Sequence, residues 1–293
     1  MRVANTVASV ERMKILDGPM GTELAARGVA TPAPGWSAYA LDEAKDVVAA
    51  IHADYARAGA GIHRGNTFRT QAHLFPDRYV AMAKSACDLA RAGIRRVVAP
   101  SFARPKVAGS LAPVMDCYRP DLSPPPDVAR KEHRANAAAL ERAGFELIVC
   151  EAFPHHGEAV IAVEEAIETG LEVWIAFTAG PEADLMTTAA MRDAARDCVE
   201  AGATAVMVNC TAATRTLAYV EALSDAGVAF GAYANAGPEA DGLGWGADRE
   251  EAAARYADLA EAWVARGATI VGSCCGTSPA HVAELVRRFG PAR

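Results

Sequence analysis

Eight short apolar runs alternate with Ala-rich helical stretches along 293 residues, and that alternation predicts a closed (β/α)8 barrel, a TIM barrel forming a single domain over 1–293. Three observations carry the prediction. The runs are bounded by Gly, Pro or polar turns and are dominated by apolar residues, as strands buried on both faces should be. The stretches between them space their apolar residues three and four apart, and several finish in glycine, as in ARAGIRR (90–96) and ERAGFE (141–146). Parallel strands, finally, need helical crossovers, which is what the alternation supplies. A doubly wound open sheet is the second choice. It gains nothing from GPMGTE, whose glycines at 18 and 21 fall short of a dinucleotide fingerprint.

The elements follow in order after an N-terminal extension, 1–12, which does not read as a secretion signal. The first strand, MKILDG (13–18), delivers Asp17 at its C-terminal end. The second, GIHRGNTF (61–68), delivers Asn66 and Thr67, and RRVVAPSF (95–102) is read as the third. A long Pro-rich loop, 103–126, follows it, and loops of that length are usually functional. ELIVCEAF (146–153) carries Glu151, and EVWIAFTA (172–179) is the fifth strand. AVMVNCTA (205–212) ends in Asn209 and Cys210, VAFGAYANAG (228–237) in Asn235, and ATIVGSCCGT (268–277) in Cys274 and Cys275.

The bulk composition sets limits on function. The chain is 52% hydrophobic and 22% charged, enough for a substantial core. A net charge of −7 with no basic run argues against a nucleic-acid partner, and no apolar stretch reaches the length of a membrane span. A cytoplasmic protein is expected, and a homo-oligomer is compatible with these numbers. Seven scattered cysteines, an odd number, fit a reducing compartment, with Cys87, Cys117, Cys150 and Cys198 read as packing residues.

In a parallel barrel, chemistry belongs at the C-terminal ends of the strands. Cys210, Cys274 and Cys275 fall there. Two adjacent packing cysteines would face opposite sides of a strand, and a vicinal disulfide is opposed by a reducing cytosol. A metal accounts for the set better. Three thiolates on strands six and eight leave one tetrahedral position of Zn2+ open, and soft sulfur favours zinc over magnesium or manganese. Gly272, Ser273 and Gly276 would let the chain turn both sulfurs inward. A thiolate-rich zinc suits activation of another thiol, since a free thiol with a pKa of about 8.5 is mostly protonated at neutral pH. Glu151 would be costly to bury unpaired, and a substrate ammonium would satisfy it. Asp17 offers a second carboxylate, with helix capping as its plain structural alternative. A thiol bearing an α-amino group fits both halves. His63 reads as a core histidine, and His155 and His156 as a loop pair. A zinc hydrolase or a non-catalytic zinc or thiol sensor are the competing functional readings.

The segments ILDGPMGTEL (15–24), NTFRT (66–70), GSLAPVMDCYRPDLSP (109–124), CEAFP (150–154), MVNCT (207–211), YANAG (233–237) and VGSCCGTSP (271–279) together resemble the homocysteine S-methyltransferase family, in family order and over nearly the whole chain. The resemblance implies a zinc-dependent barrel that moves a methyl group from an onium donor to homocysteine, giving methionine. It implies Cys210, Cys274 and Cys275 as zinc ligands, and Asp17 and Glu151 as the carboxylates for the homocysteine amino group. Thr67 and Asn235 are further candidates for substrate contact. Several positions depart from the family pattern: Ser273 stands where Gly is usual, Ala234 where Pro is, and Ala152 where Thr is common. The betaine-using branch has aromatics at the positions of Ala152 and Arg69. With Trp36 as the single remaining wall, an aromatic cage for a quaternary ammonium is poor. A sulfonium donor, S-methylmethionine or S-adenosylmethionine, is therefore favoured over betaine.

Overall fold

The computed structural model describes residues 13–98 and 104–290. In chain order these form β1 (Lys14–Ile15), α1 (Met20–Ala26), α2 (Ala40–Glu43), α3 (Lys45–Ala58), β2 (Ile62–Arg64), α4 (Tyr79–Arg95) and β3 (Lys106–Leu111). Then come α5 (Pro126–Ala143), β4 (Leu147–Phe153), α6 (His156–Ile167), β5 (Glu172–Phe177), α7 (Thr188–Glu200) and β6 (Ala205–Ala212). The chain finishes with α8 (Leu217–Leu223), β7 (Ala229–Asn235), α9 (Arg249–Ala265), β8 (Ile270–Ser273) and α10 (Pro279–Phe289). No helix among the described residues is long and apolar enough to cross a membrane. The 1–12 extension lies outside the described residues.

All paired strands are parallel, and β1 meets β8 while β8 to β2 follow one another in descending order. A parallel bridge between Leu16 and Ile62 joins the two remaining edges and closes the barrel. The seam is narrow. Its backbone bonds are Gly61 N–H to Ile15 O and Asp17 N–H to Ile62 O, each 2.9 Å.

Strand alternation sorts the core into two layers. Leu16, Ile62, Leu147, Val149, Met207 and Ile270 fill the barrel interior. Ile148, Cys150, Val206, Val208 and Val271 point outward against the helices. Because both faces are covered, every residue of β4 and β6 is buried, which is why these strands read as apolar-dominated runs, with Glu151 in β4 and Asn209 and Thr211 in β6 as the polar exceptions.

Seven of the eight predicted strand runs contain the observed strands. The third does not. Residues 95–98 are the end of α4 and a turn, 99–103 lie outside the described residues, and β3 is Lys106–Leu111. The reason lies in Gly93, read as a helix stop but lying within α4. A Cβ there would come within 2.3 Å of Ala49 O on α3, so this glycine serves close helix packing and does not terminate the helix. The predicted 103–126 loop correspondingly begins with a strand, and the irregular connection is 112–125 with one short turn at Pro120–Leu122.

That connection is pinned rather than free. Glu158 at the start of α6 accepts the Val114 N–H at 2.7 Å and the Ser123 hydroxyl at 2.5 Å, with His133 at 3.2 Å. Gln71 donates to Pro113 O at 2.7 Å and Arg69 to Met115 O at 2.9 Å. Burial works against the Glu158 charge, but the bonds from His133, Ser123 and Val114 hold its carboxyl below the usual range.

Candidate active site

The C-terminal ends of the strands open into a cavity of about 740 Å³ whose wall includes Arg64, Glu151, Cys210, Asn235, Cys274 and Cys275. Residues from β2, β4, β6, β7 and the turn after β8 thus reach one space, as the strand-end rule requires.

Two strands are bent to put their site residues there. The ladder slips between Cys150 and Phe153 in β4 and between Asn209 and Ala212 in β6. At each irregularity one non-glycine residue takes a left-handed backbone, Ala152 at φ 64° and Cys210 at φ 50°. Such residues cost on the order of 1–3 kcal/mol each and persist where neighbours hold them. Asn209 is one such neighbour: its Oδ1 accepts the Ala152 N–H at 3.1 Å and its Nδ2 donates to Cys210 Sγ at 3.4 Å. Asn235 is the other, donating to Cys210 O at 2.9 Å.

The cysteines converge as expected. Cys210 Sγ lies 3.1 Å from Cys274 Sγ, and Cys274 Sγ lies 3.9 Å from Cys275 Sγ. After β8 the chain turns, with Cys274 O accepting from Thr277 N–H at 3.2 Å and from its hydroxyl at 2.7 Å. Gly276 has φ 82°, and a Cβ there would strike Trp245 Nε1 at 2.4 Å. The Ser273 side chain is buried and its hydroxyl has no hydrogen-bond partner among the described residues, while Cys274 N–H bonds Ala234 O at 2.9 Å. Hydrogen bonds from Cys210 and then Cys274 hold the Cys275 thiol well below its ordinary pKa against the effect of burial. Tetrahedral zinc with bonds of about 2.3 Å separates its sulfurs by roughly 3.8 Å. The Cys274–Cys275 spacing matches this, the Cys210–Cys274 spacing is shorter, and it is the soft chemistry of the three sulfur donors that suits such an ion.

The carboxylates are arranged differently from the expectation, because Arg64 lies between them. Asp17 Oδ1 accepts from Arg64 Nε at 2.9 Å and Oδ2 from the Arg64 backbone N–H at 3.0 Å. Glu151 Oε2 accepts from Arg64 Nη1 at 3.0 Å and from the Tyr233 hydroxyl at 2.9 Å, while Oε1 accepts from the Ser110 hydroxyl. Arg64 Nη2 donates to the carbonyls of Asp17, Gly18 and Ser273 at 3.1–3.2 Å, and its guanidinium stacks 4.6 Å from the Tyr233 ring centre. Burial opposes the guanidinium charge, and Glu151 and Asp17 outweigh it, so its pKa stands well above the ordinary value. Burial also pushes Asp17 up to about 6 despite the Arg64 charge beside it. Asp17 does not cap α1, whose N-cap is Pro19.

The remaining predicted residues divide. Asn235 lines the cavity, and its buried Oδ1 has no partner. Trp36 lines it too, but Arg69 covers its ring at 4.9 Å. Thr67 faces away from it: its hydroxyl donates to Ser110 O at 2.8 Å and accepts Ser110 N–H at 2.9 Å, tying β2 to β3. His155 caps α6 through Nδ1, and His156 meets Asp197 at 2.7 Å. Arg64, Ser110, Tyr233 and Asn209 were missed as site residues. A basic residue inside an apolar strand, IHR, was the available signal for Arg64. Cys117, read as packing, does pack in the barrel interior and also lines the cavity with Tyr118, while Cys87, Cys150 and Cys198 pack in the helix layer.

A second grouping also offers ligand atoms for a metal ion. Asp17, His52 and His63 present theirs within 4.8 Å of one another, all buried. Among the described residues neither ring nitrogen of His52 has a hydrogen-bond partner. Both Asp17 oxygens, however, already accept from Arg64, whose positive charge repels a cation. The three thiols are the better donor set.

Known proteins are similar to this chain in sequence and in fold. The family model described as homocysteine S-methyltransferase matches residues 14–289. The homocysteine S-methyltransferase of Escherichia coli is 31% identical over 296 residues, covering 94% of each chain. A rat S-methylmethionine–homocysteine S-methyltransferase is 26% identical over 279 residues, covering 88% of this chain and 73% of its own. The crystal structure of the Escherichia coli homocysteine methyltransferase MmuM in its metallated form superposes with a TM-score of 0.80 at 27% identity, covering 95% of this chain and 97% of that one. With the family matched from the first strand to the last helix, and three thiols gathered at the rim, this chain belongs to the homocysteine S-methyltransferase family.

Proposed function

We propose that the chain transfers a methyl group from a sulfonium donor to the thiolate of homocysteine bound at zinc, giving methionine. The convergence of Cys210, Cys274 and Cys275 beside Glu151 in one cavity carries this reading. Zinc held by the three thiolates would keep a bound thiol deprotonated near neutral pH. The chain's own groups do the rest. Glu151 faces the cavity and receives the acceptor's ammonium, which fixes the direction of its side chain. The acceptor sulfur then displaces the donor's methyl group in line. One carbon–sulfur bond forms and one breaks, the bonding pair returns to the donor sulfur, and the acceptor's thiol proton goes to solvent.

Betaine is the poorer donor for a specific reason. A quaternary ammonium is recognised by a cage of aromatic faces, and here the Trp36 face is already capped by the Arg69 guanidinium. The name of the rat relative points the same way. A donor screen with homocysteine, following methionine by mass spectrometry, decides it. Methionine should form with S-methylmethionine or S-adenosylmethionine and not with betaine; no methionine from either sulfonium would overturn the proposal.

A further inference from the structure

The notable feature of the acceptor pocket is a buried guanidinium lying where two carboxylates would otherwise face the substrate together. We infer that Arg64 is the anchor for the acceptor's carboxylate and, with Glu151, makes the site a reader of zwitterionic α-amino acid heads; this rests on the thiol-acceptor reading above.

Asp17 is 2% exposed and absent from the cavity wall, and both its oxygens accept from Arg64. Asp17 therefore reaches the cavity only through Arg64, as a positioning residue. Arg64 and Glu151 do line the cavity. A guanidinium has five N–H bonds. The Nε–H goes to Asp17, and the Nη2 hydrogens are shared among three main-chain carbonyls. Nη1 spends one hydrogen on Glu151 and keeps one without a protein acceptor. On Glu151, Oε2 accepts twice, whereas Oε1 accepts only from Ser110.

The free valences thus sit side by side: one guanidinium N–H and one carboxylate lone pair, on groups 3.0 Å apart. An α-amino acid carries its carboxylate and its ammonium on the same carbon, at comparable separation and opposite polarity. A carboxylate pair without Arg64 would attract any amine. With Arg64, the three groups sum to a single negative charge, and an amine lacking the carboxylate leaves the spare N–H unmatched. Charge-assisted bonds of this kind are lost in full when the buried partner has nothing to meet.

The test reads binding rather than turnover, so that it stands apart from whether a methyl group is transferred. Calorimetry on zinc-loaded protein compares four thiols: homocysteine, 3-aminopropanethiol (no carboxylate), 4-mercaptobutanoate (no ammonium) and propane-1-thiol. Homocysteine should bind at least tenfold tighter than 3-aminopropanethiol, and 4-mercaptobutanoate at least threefold tighter than propane-1-thiol. Equal affinities within either pair in the wild-type protein would refute the inference without any variant being made. In the charge-balanced double variant Asp17→Asn/Arg64→Gln, both ratios should collapse to within about twofold. A folded double variant that keeps the wild-type ratios would show that Arg64 only braces the barrel, and would equally overturn the inference.

Discussion

Asn209 Oδ1 accepts the backbone N–H of Ala152 at 3.1 Å, and so one side chain on β6 sets the bend of β4 immediately after Glu151. The same amide turns its nitrogen to the Cys210 sulfur, which couples the strand end that carries Glu151 to the thiol group. Replacing Asn209 with Ala leaves the Ala152 N–H buried and unpaired, at a cost of about 1–3 kcal/mol. The expected outcome is a lower melting temperature together with a reduced kcat/KM; a variant with wild-type values of both would contradict the coupling.

Cys274 stands at the centre of the thiol group, within 3.9 Å of both other sulfurs. Cys274→Ala should abolish both bound zinc, read by elemental analysis, and turnover, while circular dichroism stays unchanged. Full activity in metal-free Cys274→Ala protein would remove the basis for a thiolate-held metal.

Glu158 holds the connection that carries Cys117 and Tyr118 to the cavity. Glu158→Ala deletes bonds to Val114, Ser123 and His133, an expected loss on the order of 2–3 kcal/mol. Limited proteolysis should then cut within 112–125, and KM should rise more than kcat falls. Protection equal to wild type would show that the connection holds itself.

Acid should weaken the fold through His52 and His63. Burial keeps both neutral, with pKa values lowered to about 3 and about 4, whereas unfolded imidazoles protonate near 6.5. Between those limits the unfolded chain binds more protons, so stability falls as pH drops from 6.5 toward 4. For His63 alone the effect is on the order of 3 kcal/mol. Asp17, raised to about 6, works in the opposite direction, and two histidines outweigh one carboxyl. Melting curves at pH 7 and pH 5 should show a smaller drop for His63→Leu than for wild type; identical drops would rule these groups out.

Much of the barrel was legible in the sequence because strands covered on both faces are mostly apolar, and β4 and β6 announce themselves that way up to the ends that carry their site residues. The third strand was not. Lys106–Leu111 includes Lys, Gly and Ser, and Ser110 is polar because it donates to Glu151. The thiols were legible because packing alone gives a chain no reason to set three cysteines at the ends of strands six and eight. Arg64 was not, since its meaning depends on Asp17 and Glu151, which are 47 and 87 positions away in sequence. Strand-end reasoning also sent Thr67 to the cavity, whereas a residue just past β2 can equally turn back to bind β3.

The seam between β1 and β2 rests on one bridge, and Arg64 crosses it, bonding β2 to the Asp17 side chain and to the carbonyls beyond β1 and at the end of β8. The residue assigned to acceptor choice is therefore also a rivet of the scaffold. Evolving this enzyme toward a new acceptor meets that bond first: changes at Arg64 that widen the substrate range also slacken the barrel at its narrowest join. Libraries aimed at new acceptors should accordingly begin from a background already stiffened between β1 and β2.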